Sequence, residues 1–121
     1  MSGYARGVTI ELPWPPAGGQ NARLHWRSRA HSARHYRQVG AIAALGRRPP
    51  TSWPKKLCLS LVFSPPDRRR YDLDNLIGKV KSGIDGVCDA IGIDDARFGM
   101  LCATLADPVR GGAVTLRIAP P

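Results

Sequence analysis

Seven aspartates fall between residues 66 and 98: Asp67, Asp72, Asp74, Asp85, Asp89, Asp94 and Asp95. The only other acidic residues are Glu11 and Asp107, and 18 Lys and Arg against 9 Asp and Glu leave a net charge of +9. A chain so basic does not need this cluster for solubility. Short carboxylates held together repel one another unless something cationic sits among them. Asp72 and Asp74 are separated only by Leu73, so in extended backbone both carboxylates point to the same side. Two hard oxygens in that arrangement suit Mg²⁺, which takes an octahedral oxygen shell and keeps several waters. The chemistry expected of residues 66–98 is therefore a hard divalent metal site set in a polyanion-binding surface.

The residues around the acids fit that chemistry. Arg68, Arg69 and Arg70 directly precede Asp72, where guanidinium groups would hold phosphates close to a metal. Lys79 and Lys81 follow. Lys81 shares one helix face with Asp74, seven residues before it, and with Asp85, four residues after it. A lysine there would stabilise the charge that develops as a phosphodiester is cleaved, while the cation polarises the phosphate and activates water. Lys81 is the favoured candidate and Lys79 the alternative. Taken singly, each acid reads as a helix cap or a solvated ion pair, and only the combination points to a site. The spacing also raises a difficulty. A helix of about 16 residues is ~24 Å long, so Asp72 and Asp74 at one end cannot share a metal with Asp94 and Asp95 at the other. A shorter helix, a folded-back loop at 92–98 or a two-fold dimer would each resolve this.

Charge is segregated elsewhere too. From Pro13 to Pro66 there is no acid, and there are nine bases, among them Arg23, Arg27, Arg29, Arg34 and Arg37. With His25 and Trp26 interleaved, this region suits phosphate contact and base stacking. Three isolated cysteines, Cys58, Cys88 and Cys102, argue against a disulfide framework or a zinc ribbon and read as small core residues. His31 and His35 have the i, i+4 spacing of a zinc pair but lack further ligands nearby. No apolar run approaches the ~20 residues of a membrane span, no signal peptide is visible, and the cytoplasm is the expected compartment.

These groups must be positioned by a small fold. Alternation predicts strands at 8–12, 57–63, 101–107 and 113–118, the last two forming a hairpin. Periodicity predicts a helix over 32–45, with Ser32 as N-cap and Tyr36, Val39, Ile42, Ala43 and Leu45 on its apolar face. A second helix starts at Asp74 or Asn75, carries a stripe of Leu76, Val80, Ile84 and Val87, and ends at Gly92. The expected architecture is one α/β (α+β) domain over 1–121, a small mixed sheet with two helices in β-α-β-α-β-β order.

The segments LPWPP at 12–16, PDRRRYDLDNL at 66–76 and GIDDARF ending at Phe98 resemble the RusA family of Holliday junction resolvases in order and spacing, over nearly the whole chain. The resemblance implies a homodimeric, Mg²⁺-dependent endonuclease, bacterial or bacteriophage-encoded, that cuts four-way DNA junctions by paired nicks in recombination and repair. It implies Asp72, Asp74 and Asp95 as the catalytic metal-binding carboxylates, Asp94 as their neighbour, and a functional lysine shortly after DLDN. It also implies that the two acidic ends converge on a metal. The rival readings are a DNA-binding protein whose aspartates are structural, and a metal nuclease acting on flaps or other branched DNA.

Overall fold

The computed structural model describes residues 7–16 and 26–121, with the backbone alone for 26–29. The elements run β1 (Val8–Pro13), α1 (Trp26–Ala43), β2 (Leu57–Ser64), α2 (Leu73–Ile91), a 3-10 turn (Asp95–Arg97), β3 (Phe98–Leu105) and β4 (Ala113–Ala119). The expected α+β class and element order hold. Three of the four strands alternate, with Val8, Ile10 and Leu12 of β1, Leu57, Leu59, Leu61 and Phe63 of β2, and Val114, Leu116 and Ile118 of β4 buried on one face. The Leu76, Val80, Ile84, Val87 and Ile91 stripe of α2 joins the same core.

The expected hairpin does not form. The strand order is β1-β4-β2-β3. β4 lies between β1 and β2, antiparallel to both, and β3 pairs with β2 in parallel. The β2-α2-β3 unit is a helical crossover, and such a connection returns the chain parallel to its first strand. The segment after β3 then crosses the end of β2, where the Ala106 and Val109 amides donate to the Phe63 and Pro65 carbonyls at 2.8 and 2.9 Å. β4 lies at the centre with Val114, Leu116 and Ile118 buried on the core face.

α1 starts at Trp26, so Ser32 lies within the helix and is not its N-cap. Its buried face is Tyr36, Gly40 and Ala44 rather than the larger apolar residues. Ile42 and Leu45 are 67% and 69% exposed. Glycine explains this choice. A Cβ on Gly40 would run into the Gly83 carbonyl oxygen, and one on Gly86 into the Arg37 carbonyl oxygen. The two helices therefore meet backbone to backbone, and residues that could not sit at that distance are turned outward. Tyr36 closes the joint by donating its hydroxyl proton to the Pro13 carbonyl at 2.7 Å. The cysteines also part from expectation: only Cys88 is buried, Cys58 is half-buried and Cys102 exposed, all as free thiols.

Gly86→Val forces α1 and α2 apart and lowers stability by roughly 1–3 kcal/mol, the usual cost of overpacking, measured by urea denaturation. Gly78 sits in α2 with open space beside it. Gly78→Ala raises stability by about 0.5–1 kcal/mol, the difference in helix propensity.

Candidate functional site

Asp72 is the N-cap residue of α2, with φ −107° and ψ 120°, yet its side chain makes no capping hydrogen bond. Its carbonyl instead accepts the first helical bond from the Leu76 amide at 3.0 Å. Asp74 lies in the first turn, where a carboxylate is favoured by the helix dipole. Both are exposed, and neither makes a side-chain hydrogen bond or ion pair with any described residue. Free carboxylate oxygens on neighbouring residues are what a hard cation requires, so this pair fits part of a Mg²⁺ shell.

The loop in front of them is held by a bracket that sequence reading missed. Asp67 accepts the Arg69 amide at 3.1 Å and the Tyr71 hydroxyl at 2.9 Å. The Tyr71 hydroxyl, then the Arg69 amide, hold the Asp67 carboxyl below its ordinary range. That contribution is present above about pH 3.9 and lost as pH falls through the lowered value. The Tyr71 ring meets Trp14 edge-on at 5.4 Å, and Trp14 meets Phe63 at 6.3 Å. The aromatic chain ties residues 67–71 to the core through the end of β1. The available signal was an aromatic residue next to the DLD triplet and a tryptophan between prolines. The bracket also divides the arginines: Arg69 pairs with Asp67 at 3.2 Å, while Arg68 and Arg70 are exposed.

Lys81 lies farther along α2 and donates to Asp85 at 2.8 Å and to Asp95 at 3.3 Å. The loop after Gly92, which ends α2 in the left-handed region at φ 77°, thus folds back along the helix. Two contacts aim it. Asp94 accepts the Ala96 amide at 2.9 Å, capping the 3-10 turn, so its carboxylate is spent on structure. Arg97 donates to the Lys55 and Pro54 carbonyls at 3.1 and 2.9 Å, pinning the turn to the loop before β2. Arg97 was also missed, because its partners are backbone atoms more than 40 residues away. Asp85 first, then Asp95, raise the Lys81 pKa above its ordinary 10.5, so Lys81 carries its charge throughout the physiological range. Lys79 is half-buried and pairs with no acid among the described residues.

The fold-back is partial. Asp74 stands seven residues before Lys81 and eleven before Asp85, on the order of 10–16 Å along the helix at 1.5 Å per residue. Among the described residues, no three His, Cys, Asp or Glu side chains gather into a metal site. One chain therefore does not bring Asp72 and Asp74 together with Asp95, although it does join Lys81 to Asp95. Beside that pair lies a shallow cleft of about 350 Å³, lined by Arg37 of α1, Asp85, Cys88 and Asp89 of α2, and Ile93, Asp94 and Asp95. Burial, then Asp95 and Asp85, push the Cys88 thiol up to about 12, so it stays protonated and unreactive at neutral pH.

Of the basic residues expected to meet nucleic acid, Arg23 lies outside the described residues, as do the Arg27 and Arg29 side chains. Arg34 is exposed. Arg37 is committed to Asp89, its Nη2 2.5 Å and its Nε 3.2 Å from Oδ2, with Asp85 at 4.0 Å. It ties α1 to α2 and is not a free phosphate ligand.

A protein of Xylella fastidiosa (strain Temecula1), described as an uncharacterized protein, is 37% identical to this chain over 102 residues. The match spans 81% of this chain and 67% of that protein. The chain belongs to the same family. No protein-family model matches it. No helix among the described residues is long and apolar enough to cross a membrane.

Asp85→Asn removes the stronger partner of Lys81, and the Lys81 pKa then falls back toward 10.5, read by NMR of the side-chain methylene next to Nζ. In the wild-type protein the stabilising contribution of the Lys81 charge is complete on the lysine side below 10.5 and is lost as pH rises through the raised value.

Proposed function

We propose that this chain is a Mg²⁺-dependent endonuclease that resolves four-way DNA junctions by paired nicks, acting as a homodimer. The observation that carries the reading is that Asp72 and Asp74 are exposed and have no side-chain partner among the described residues, although Arg68 and Arg70 are exposed close by. In a chain of net charge +9, carboxylates with only a solvating role would be expected to recruit one of these arginines. Left free, they are available to a divalent cation.

In this mechanism Arg68 and Arg70 hold the phosphates flanking the cut, which sets position without reading sequence. Asp72 and Asp74 hold Mg²⁺, which when bound supplies Lewis-acid charge at the scissile phosphate. Lys81 supplies a permanent positive charge. Its pairs with Asp85 and Asp95 are solvent-exposed and each worth at most ~1 kcal/mol, so it can exchange a carboxylate for a phosphate oxygen. Asp95 is the third carboxylate. Among the described residues Asp72, Asp74 and Asp95 do not gather into one ligand group, and Mg²⁺ needs its ligands at ~2.1 Å. A two-fold pair of chains resolves the difficulty if each site takes Asp72 and Asp74 from one copy and Asp95 from the other. A four-way junction has the matching two-fold symmetry.

The test uses labelled four-way, flap and linear DNA with Mg²⁺ or EDTA. The expected result is paired nicking of four-way DNA with Mg²⁺ only, reduced more than ~100-fold in Asp74→Asn, since loss of second-shell groups alone costs 10–100-fold. Arg68→Ala and Arg70→Ala each weaken binding across sequences and reduce the salt slope by about 1. Absence of Mg²⁺-dependent nicks, or equal nicking by Asp74→Asn, defeats the catalytic reading, and cutting confined to flaps moves it to another branched substrate. The shared site has its own test. Asp74→Asn and Asp95→Asn, each inactive alone, regain nicking of one strand when mixed and re-paired, because the mixed dimer keeps one complete set. No recovery means that each site lies within one chain.

A further inference from the structure

The chain between β3 and β4 crosses the end of β2 and comes to rest against the loop that leads to Asp72. The Ala106 and Val109 amides donate to the Phe63 and Pro65 carbonyls, and the Gly112 amide closes a four-residue turn on the Val109 carbonyl at 2.9 Å. Gly111 stands at the third position of that turn with φ 79°, the positive value a type II turn needs there. Gly112 follows at φ 74°, and a Cβ on it would stand 2.9 Å from the Trp14 Cβ and 3.0 Å from the Pro66 Cδ. The turn is therefore seated on the tryptophan that also braces Tyr71. Its tip is fixed by backbone bonds, left-handed glycines and this aromatic seat. It carries two side chains that the fold does not use. Val109 is 44% exposed, and Arg110 is exposed with no ion pair among the described residues. Turn tips are ordinarily glycine, proline and small polar residues, so an aliphatic side chain held out beside a guanidinium is an unusual pairing.

We propose that the Val109–Arg110 turn reads the branch point of the DNA, with Arg110 on a backbone phosphate and Val109 against the face of a base pair left open where the arms part. The proposal rests on the four-way-junction reading above and gives that site a means of telling branched from linear DNA. The position follows from the topology. β2 and β3 run parallel, and β3 finishes with Leu105 beside Phe63. The turn after β3 and the arginines and carboxylates after β2 therefore share one end of the sheet. The turn rests on Pro66, two residues before Arg68. DNA whose phosphates lie along Arg68 and Arg70 passes beside its tip.

The two side chains divide the task by their chemistry. A guanidinium binds a phosphate in linear and branched DNA alike, which adds affinity without information on shape. A valine finds no apolar surface on the phosphate backbone. To reach a base face within a duplex, an apolar side chain must first separate stacked bases, and that separation costs energy. At a branch point the stack is already interrupted, so the same contact forms without that penalty. A tip held in place also loses little conformational freedom on binding.

The experiment measures equilibrium binding of labelled four-way and linear DNA in EDTA, where no strand is cut, over a range of salt, and then nicking with Mg²⁺. The wild-type protein prefers four-way DNA. Val109→Ala lowers affinity for four-way DNA by roughly 4–15-fold, the worth of one to two buried methyl groups, and leaves linear DNA unchanged. Arg110→Ala weakens both DNAs alike and reduces the salt slope of each by about 1. Both variants keep the wild-type circular dichroism and melting temperature, since both side chains lie at the exposed tip. 2-Aminopurine at the branch point changes its fluorescence with the wild-type protein and not with Val109→Ala. Equal losses on both DNAs in Val109→Ala, or no loss on four-way DNA, overturns the proposal. So does an unchanged salt slope in Arg110→Ala, or a wild-type protein that binds the two DNAs equally. The carboxylate reading is decided separately, by the nicking of Asp74→Asn. A Val109→Ala loss confined to four-way DNA, in a protein that nicks nothing, upholds the turn as the branch reader and defeats only the nuclease reading.

Discussion

The length of α2 governs the arrangement of this molecule. Nineteen residues run from Leu73 to Ile91, a span of ~28 Å, and the parallel β2-α2-β3 unit sets that span along the strands. It divides the acidic residues into a pair at the start of the helix and a pair beyond its end. The loop after Gly92 recovers part of the distance by folding back until Asp95 reaches Lys81. It goes no farther, because Arg97 is bound to the backbone at residues 54 and 55. The same constraint leaves the two acidic pairs apart, with no three carboxylates gathered among the described residues.

Within the chain, charges are sorted by what holds them. Asp67, Asp94, Arg69 and Arg97 serve the backbone or one another and shape two loops. Arg37, Asp85, Asp89 and Lys81 form a ladder from α1 to the returning loop. The glycine contact makes that ladder possible, since helices separated by larger side chains would hold Arg37 away from α2. In the segment before and at the start of α2, Asp72 and Asp74 have no side-chain partner among the described residues, with Arg68 and Arg70 exposed before them. The functional reading rests on this remainder, because a cluster in which every charge were satisfied would leave nothing to bind a ligand.

Much of the fold was legible because burial has a period. Alternation marked all four strands to within three residues, and the stripe from Leu76 to Val87 marked α2 and its stop at Gly92. The misses share a cause. The apolar face of α1 was assigned to Ile42 and Leu45, but the real contact is between backbones, and glycine carries no hydropathy signal. The order of the last two strands predicts a hairpin, but the α2 crossover returns β3 parallel beside β2 instead. Cys102 reads as a small core residue, but it lies on the face of β3 opposite the buried Leu59 and Phe63 and is exposed.

The sequence by itself determined the chemistry on offer: hard oxygens two residues apart, arginines before them, a lysine one heptad on, and a second acidic pair. Residue type and local spacing suffice for that, because caps, helix faces and extended dipeptides are local geometry. Only the tertiary structure decided which of these groups are free. Arg37 looked as available as Arg68 until a long-range contact with Asp89 claimed it. Such contacts join residues as far as 52 positions apart, and no spacing rule along a chain reaches that far.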